Sequence, residues 1–227
     1  RRVGLPAGVP ILNAVGDTQA AFLGSVADPA HELLFNLGTG GQICWMLPEF
    51  TPPTQAVETR PLPGGRYLRV GASLCGGAAY AWLNHTVRGW LSDFGVDVEE
   101  QAVYERLNTL AMSCSDAGTL RVRTTFLGTR GDDTVRAGSI EGLTLDNLQL
   151  GALARATLTG IADELHDLFR VHTRETARYS RMVATGGGLR RNPLLPGLIE
   201  ERFGLPVHIP KQRGIAALGA AALAFQP

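Results

Sequence analysis

Glycine is gathered into short clusters along this chain, and these clusters restrict the fold more than any other feature. It makes up 28 of the 227 residues, about twice its average share. The clusters stand at residues 38–41, 64–65, 76–77 and 186–188. Because glycine tolerates positive φ and close backbone approach, clusters at the ends of strands indicate loops that wrap a ligand. A single cluster is equally well explained as a tight turn, but four together favour a ligand site.

Short apolar runs alternate with helical patterns, and this order predicts an α/β fold without an internal linker. The predicted strands are 10–15, 33–37, 42–47, 67–71, 120–126, 182–185 and 206–209. The predicted helices begin at Asp17, near Ala79, near Val98, at Thr144 or Asp146, at Asn192 and at Ile215. Residues 33–37 and 42–47 read as a hairpin across the first glycine cluster. Residues 51–66 and 127–142 read as loops.

Charge and cysteine content exclude several classes of protein. Lys+Arg and Asp+Glu are both 21, which argues against a protein that coats nucleic acid or a membrane surface. Three scattered cysteines without CxxC spacing predict reduced thiols and a cytoplasmic location. The five histidines show no metal-ligand spacing. No apolar run is long enough to span a bilayer.

One carboxylate stands out in the stretch ILNAVGDTQAAFLGS, residues 11–25. Asp17 is its only charged residue and directly precedes a run that favours a helix. An aspartate at this place can cap the helix and complement the positive end of its dipole. It can equally serve as a proton acceptor in a reaction. From these residues alone both explanations remain open.

Five motifs together resemble one known family. VGDTQAAFLG, NLGTGGQI, GASLCGGAAYAWL, ATGGGLRRNPLL and GIAALGAAALA occur in the order found in the C-terminal domain of FGGY-family carbohydrate kinases. The resemblance implies an actin-like ATPase (ribonuclease H-like) domain, a mixed central sheet flanked by helices, over residues 1–227. Within the family, GDTQA, Gln42 and LQLGALARATLTGIADELHDLF are most similar to the branch that phosphorylates sedoheptulose.

The resemblance implies ATP-dependent phosphorylation of a sugar hydroxyl, with a ketose such as sedoheptulose as acceptor and Mg²⁺ as cofactor. Asp17 matches the catalytic base and a ligand of Mg²⁺, and Thr18 matches a residue that contacts the substrate. The positions that match the ATP site are Gly38, Thr39, Gly77, Gly187, Gly188, Arg191 and Asn192. Thr18, Ala81 and residues 128–130 depart from the family pattern, which leaves a second function open, that of a non-catalytic or regulatory nucleotide-binding protein.

The resemblance also implies partners. Kinases of this family have a first domain that carries a phosphate loop and most sugar contacts, and nothing in this chain matches it. The expected partners are therefore a small-molecule sugar and that N-terminal domain, with neither nucleic acid nor membrane. We expect the isolated chain to be inactive and to self-associate through the apolar face that the other domain would cover, which allows a homodimer.

Overall fold

The computed structural model of the protein describes residues 13–130, 137–173 and 176–223, together with Gly4 and Gly8. The strands are β1 (Glu32–Leu37), β2 (Gly41–Leu47), β3 (Val57–Leu62), β4 (Arg66–Ser73), β5 (Arg121–Arg123), β6 (Ser139–Glu141), β7 (Arg181–Thr185) and β8 (Val207–His208). The helices are α1 (Asp17–Ser25), α2 (Gly76–Asp93), α3 (Glu100–Ser113), α4 (Leu150–His172), α5 (Gly187–Arg191), α6 (Leu195–Phe203) and α7 (Ile215–Ala222). Among these described residues, no helix is both long and apolar enough to cross a membrane.

A six-stranded mixed sheet forms the centre, in the order β3-β4-β2-β1-β7-β8. The β1–β2 hairpin and the strands β4 and β3 are antiparallel to their neighbours, whereas β7 pairs in parallel with both β1 and β8. The predicted mixed sheet flanked by helices is therefore confirmed. Strands β5 and β6 pair separately.

Alternating side chains of the sheet enter two different cores. In β1, Leu33 and Phe35 join a large core with α2, α3, α4 and α6, whereas Leu34 joins a smaller core with α1. In β2, Trp45 belongs to the large core and packs edge-to-face on Phe169 of α4, with ring centroids 5.3 Å apart. Full burial of each such side chain stabilises the fold by about 1.5–3 kcal/mol. The sheet thus separates a thick helical layer from a thin one.

Two glycines allow helix α1 to pack closely against α7. A Cβ at Gly219 would lie 1.8 Å from the carbonyl oxygen of Ala20, and a Cβ at Gly24 would lie 2.3 Å from that of Ile215. Real Cβ atoms do not approach backbone oxygens so closely, so the two helices pack backbone against backbone. This contact fixes α1 on the thin side of the sheet.

Two predicted loops contain strands. Residues 51–66 were expected to be a loop because they are polar and rich in proline, yet Val57–Leu62 forms β3. β3 pairs only with β4 and lies at the sheet edge, where the missing N–H of Pro61 is tolerated. The expected loop 127–142 includes β6, which pairs with β5. The strand predicted over 120–126 shortens to the three residues of β5.

Other boundaries also differ. Helix α4 begins at Leu150, because Asn147 accepts a hydrogen bond from the Thr144 amide and donates one to the Gly142 carbonyl, which forms a turn. The helix predicted from Asn192 begins only at Leu195, as α6, because Asn192 has extended φ/ψ; it ends a short preceding helix, α5, that was not predicted. Of the strand predicted over 10–15, residues 13–15 are not in a strand and the others lie outside the described residues.

Candidate functional site

A cleft of about 900 Å³ opens beside the carboxyl ends of β1 and β7. Ligands of α/β folds bind at this end of the strands. All seven residues predicted to contact ATP line the cleft: Gly38, Thr39, Gly77, Gly187, Gly188, Arg191 and Asn192. They come from the β1–β2 turn, the start of α2 and the segment after β7. The fold therefore brings together what the sequence keeps far apart.

The start of α2 holds the β1–β2 turn in place. The amide of Gly77 donates to the carbonyl of Gly38 at 3.0 Å, and the amide of Ala78 donates to that of Thr39 at 2.9 Å. The Gly77 amide is therefore already used, although the residue was predicted to face a phosphate. Its visible contribution is to fix the conformation of Gly38 and Thr39, and a direct phosphate contact stays a prediction.

A partly buried carboxyl group lies behind this turn. Glu164 of α4 accepts hydrogen bonds from the Thr124 hydroxyl, at 2.7 Å, and from the Ser73 side chain. The Ser73 oxygen in turn accepts the amide of Cys75, just before α2. Burial raises the pKa of Glu164, and the two hydroxyls only partly offset it. The Glu164 side chain therefore faces inward and joins α4 to the β4–α2 connection.

We expect Glu164→Gln to gain unfolding free energy relative to the wild type as pH rises from about 4 to 7. A carboxyl whose pKa is higher in the folded state loses stabilising free energy as pH rises from its unfolded towards its folded pKa. Glutamine cannot ionise and avoids this loss. Urea unfolding across this pH range measures the effect, with the exposed Glu201→Gln as control for charge removal. A pH-independent difference would contradict the buried, ionisable role.

The far end of the cleft contains a polar network that the sequence did not reveal. Asn108 Oδ1 accepts hydrogen bonds from the Tyr80 hydroxyl and from Asn192 Nδ2, both at 3.0 Å. Asn192 is only 4% exposed, and its Oδ1 accepts the amides of Leu194 and Leu195. Asn192 therefore holds the turn that leads into α6, and its predicted contact with a nucleotide stays a prediction.

Two aromatic rings stand in the same part of the cleft. Tyr104 of α3 lies 6.0 Å from Tyr80 between ring centroids, and both line the cavity. Burial raises the pKa of Tyr80 still further above neutral pH, so its hydroxyl stays protonated. Ala81, where some relatives carry a polar residue, also lines the cleft. Arg191 is exposed beside these rings and remains available to a ligand.

Asp17 is the first residue of α1 and is exposed, while Gly16 occupies the N-cap position. Its Oδ1 accepts the amide of Thr18 at 2.7 Å. The carboxylate thus complements the positive end of the helix dipole but is not the N-cap itself. Its Oδ2 makes no hydrogen bond within the described residues, so one oxygen is available to a ligand.

Thr18 connects Asp17 to the sheet. It is 3% exposed, and its hydroxyl lies 3.0 Å from Gln42 Oε1 and 3.3 Å from Asp17 Oδ1. Gln42 directly follows Gly41, the first residue of β2 after the β1–β2 turn. Asp17 and the cleft therefore flank the same turn from two sides. A direct sugar contact by the buried Thr18 stays a prediction, since its hydroxyl is already engaged.

Magnesium fits this site only together with a nucleotide. Over residues 13–130, 137–173 and 176–223, no group of three or more His, Cys, Asp or Glu side chains could hold a metal ion. Mg²⁺, however, keeps several waters and binds through one or two carboxylates plus substrate phosphates. The single exposed carboxylate of Asp17 suits that mode. Asp132 and Asp133 of the 127–142 loop lie outside the described residues.

Comparisons with known proteins agree with this architecture. The profile of the FGGY family of carbohydrate kinases, C-terminal domain, matches residues 33–226. Sedoheptulokinase of Homo sapiens is 32% identical over 223 residues, which cover 96% of this chain and 46% of that protein. Glycerol kinase of Trichlorobacter lovleyi is 31% identical over 226 residues, covering 95% of this chain and 42% of that protein.

A solved structure shows the same fold. The xylulose kinase from Rhodospirillum rubrum superimposes with a TM-score of 0.78 at 24% identity, covering 97% of this chain and 43% of that one. The predicted actin-like ATPase fold and the similarity to sedoheptulokinase are thus confirmed. This chain spans less than half the length of each of these relatives. The chain belongs to the FGGY family of carbohydrate kinases and matches its C-terminal domain.

Proposed function

We propose that residues 1–227 are the C-terminal, nucleotide-binding lobe of an ATP-dependent carbohydrate kinase, a phosphotransferase whose acceptor is a ketose such as sedoheptulose. One observation carries this proposal: seven positions that match the family's ATP site line a single cleft, next to the turn that Asp17 flanks. The choice of sugar rests on the similarity to sedoheptulokinase. A cytoplasmic location and Mg²⁺ as cofactor belong to the same proposal.

In the proposed reaction, Asp17 accepts the proton of the sugar hydroxyl. The hydroxyl oxygen forms a bond to the γ-phosphorus of ATP, the bond from that phosphorus to the β,γ-bridging oxygen breaks, and ADP leaves. The protein contributes mainly positioning and charge stabilisation to such a transfer. Gly38 and Thr39 hold the β- and γ-phosphates through backbone amides and a hydroxyl. Mg²⁺, when bound, neutralises charge that develops on the phosphate oxygens.

A second lobe would complete this site. Helix α7 exposes an apolar face of small residues with Leu218 at its centre, 48% exposed. We propose that the N-terminal domain of the kinase covers this face, and that the isolated chain self-associates through it. Closure of two lobes excludes water and commits the sugar to reaction. We expect the chain alone to bind ATP weakly.

Two assays test the proposal. A two-domain protein that includes this chain should release ADP in the presence of sedoheptulose, measured against xylulose, glycerol and gluconate, and against ATP without sugar. The isolated 227-residue chain should bind ATP in calorimetry and release no ADP on sugar addition. Sugar-dependent turnover by the isolated chain would contradict the two-lobe site. Absence of turnover by the two-domain protein with all four compounds would contradict the kinase activity.

A further inference from the structure

Two side-chain amides stand next to each other on the face of the sheet that carries α1. Asn36 of β1 and Gln42 of β2 are direct cross-strand partners. Leu34 and Cys44, each two residues away on its strand, belong to the smaller core under α1. Because side chains alternate along a strand, both amides point to that same side. Directly paired residues have Cβ atoms about 4.5–5.5 Å apart.

A threonine hydroxyl forms a hydrogen bond with the oxygen of each amide. Thr185 of β7 donates to Asn36 Oδ1 at 3.1 Å, and Thr18 of α1 lies 3.0 Å from Gln42 Oε1. Both threonines are buried. Each threonine hydroxyl faces the oxygen of its amide and can donate to it. In this arrangement the two NH₂ groups point away from the threonines.

The two NH₂ groups remain available. In the parts of the chain that the structure describes, neither Asn36 Nδ2 nor Gln42 Nε2 makes a hydrogen bond, and both side chains are half-buried. Gln42 is connected to the exposed Asp17 through a single residue, Thr18. Two oriented donors thus stand beside a carboxylate that only accepts.

We propose that Asn36 and Gln42 form a pair of amide donors that binds hydroxyl oxygens of the sugar next to the hydroxyl that reacts. This inference rests on the proposed function. A polyol needs both donors and acceptors, which the amide pair and Asp17 supply together. A phosphoryl group offers only acceptors, so it has no donor for the carboxylate of Asp17. The pair is neutral, which suits an uncharged sugar.

Sugar affinity measured by calorimetry without ATP tests the pair separately from turnover. The variants Gln42→Met and Asn36→Leu remove one NH₂ group each, in the two-domain protein. We expect each to weaken the binding of sedoheptulose about tenfold, the usual effect of one lost hydrogen bond that leaves a polar group unpaired. Gln149→Met, the same change at an exposed helix start, should leave affinity unchanged.

Deoxy analogues of the sugar make the test specific. Removal of a sugar hydroxyl that one of the two amides binds should weaken binding to the wild type about tenfold. In the variant that lacks that amide, the same removal should weaken binding less than twofold further. Gln42→Glu and Asn36→Asp, which keep the oxygen for the threonine, replace the first variants if those fail to fold. Unchanged affinity in both variants, or fully additive losses with every mono-deoxy analogue, would overturn the pair.

The same data separate the two proposals. Sugar binding that depends on Asn36 and Gln42, without ATP-dependent turnover, supports the pair and contradicts the kinase activity. Turnover that is abolished by Asp17→Asn, with sugar affinity indifferent to both amides, supports the kinase activity and overturns the pair. A wild-type protein that binds none of sedoheptulose, xylulose, glycerol or gluconate overturns both.

Discussion

Asp17→Asn is expected to lower kcat of the two-domain protein at least ~10²-fold, the usual effect of losing a positioned acid–base group. Sugar KM should change less than kcat, because the lost interaction strengthens mainly in the transition state. The amide keeps the size of the side chain and an oxygen that can still accept the Thr18 amide. Steady-state kinetics with ATP and sugar measure both constants.

Stability measurements separate this role from a purely structural one. Asp17 lies inside α1 rather than at its N-cap, so loss of its charge should cost only about 0.3–1 kcal/mol of unfolding free energy through the helix dipole. Asp17→Ala additionally loses the bond to the Thr18 amide. Near-normal kcat in the asparagine variant, with a stability loss in the alanine variant, would show that the carboxylate serves the helix alone.

Gly186→Ala is expected to weaken ATP binding more than tenfold and to lower the unfolding free energy by about 2 kcal/mol or more. Gly186 has φ 107° and ψ 158°, a region that is almost exclusive to glycine and costs other residues about 1–3 kcal/mol. A Cβ there would also lie 2.1 Å from the carbonyl oxygen of Leu37, which lines the cleft. Relief of that clash displaces the segment that carries Gly187 and Gly188.

The matched control is Gly89→Ala on the exposed side of α2, where a Cβ meets nothing within 4 Å. That change should stabilise the protein by about 0.5–1 kcal/mol, because alanine restricts the unfolded chain and favours a helix. Calorimetry with ATP and urea unfolding measure both variants. Nucleotide affinity of Gly186→Ala within twofold of the wild type would contradict a rigid loop at this position.

The sequence predicted those parts of the fold in which the local hydrophobic pattern agrees with the tertiary packing. The β1–β2 hairpin has apolar runs on both sides of a glycine turn, and α4 has a long apolar stripe. Strand β3 was not predicted, because it depends on hydrogen bonds to its partner β4, and a local sequence pattern does not show such pairing. The polar, proline-rich composition of residues 51–66 led to the prediction of a loop there.

The site shows a similar division. Glycines that must approach a ligand are visible in the sequence, so the cleft's backbone segments were found in advance. Glu164 and Tyr104 were missed, because burial of a carboxyl and placement of a ring depend on which helices meet. Glu164 sits in a periodic helix among charged neighbours, and only the hydroxyls of Ser73 and Thr124 show that it faces inward.

The contact between Gly24 and Gly219 has a consequence for biosynthesis. Helix α1 leaves the ribosome almost a whole domain before α7, which packs on its backbone. Contacts between distant segments carry a large loop-closure entropy and form late. The carboxylate of Asp17 therefore reaches its final place only after nearly all of this domain has been translated, and until then the side of α1 that packs on α7 is uncovered.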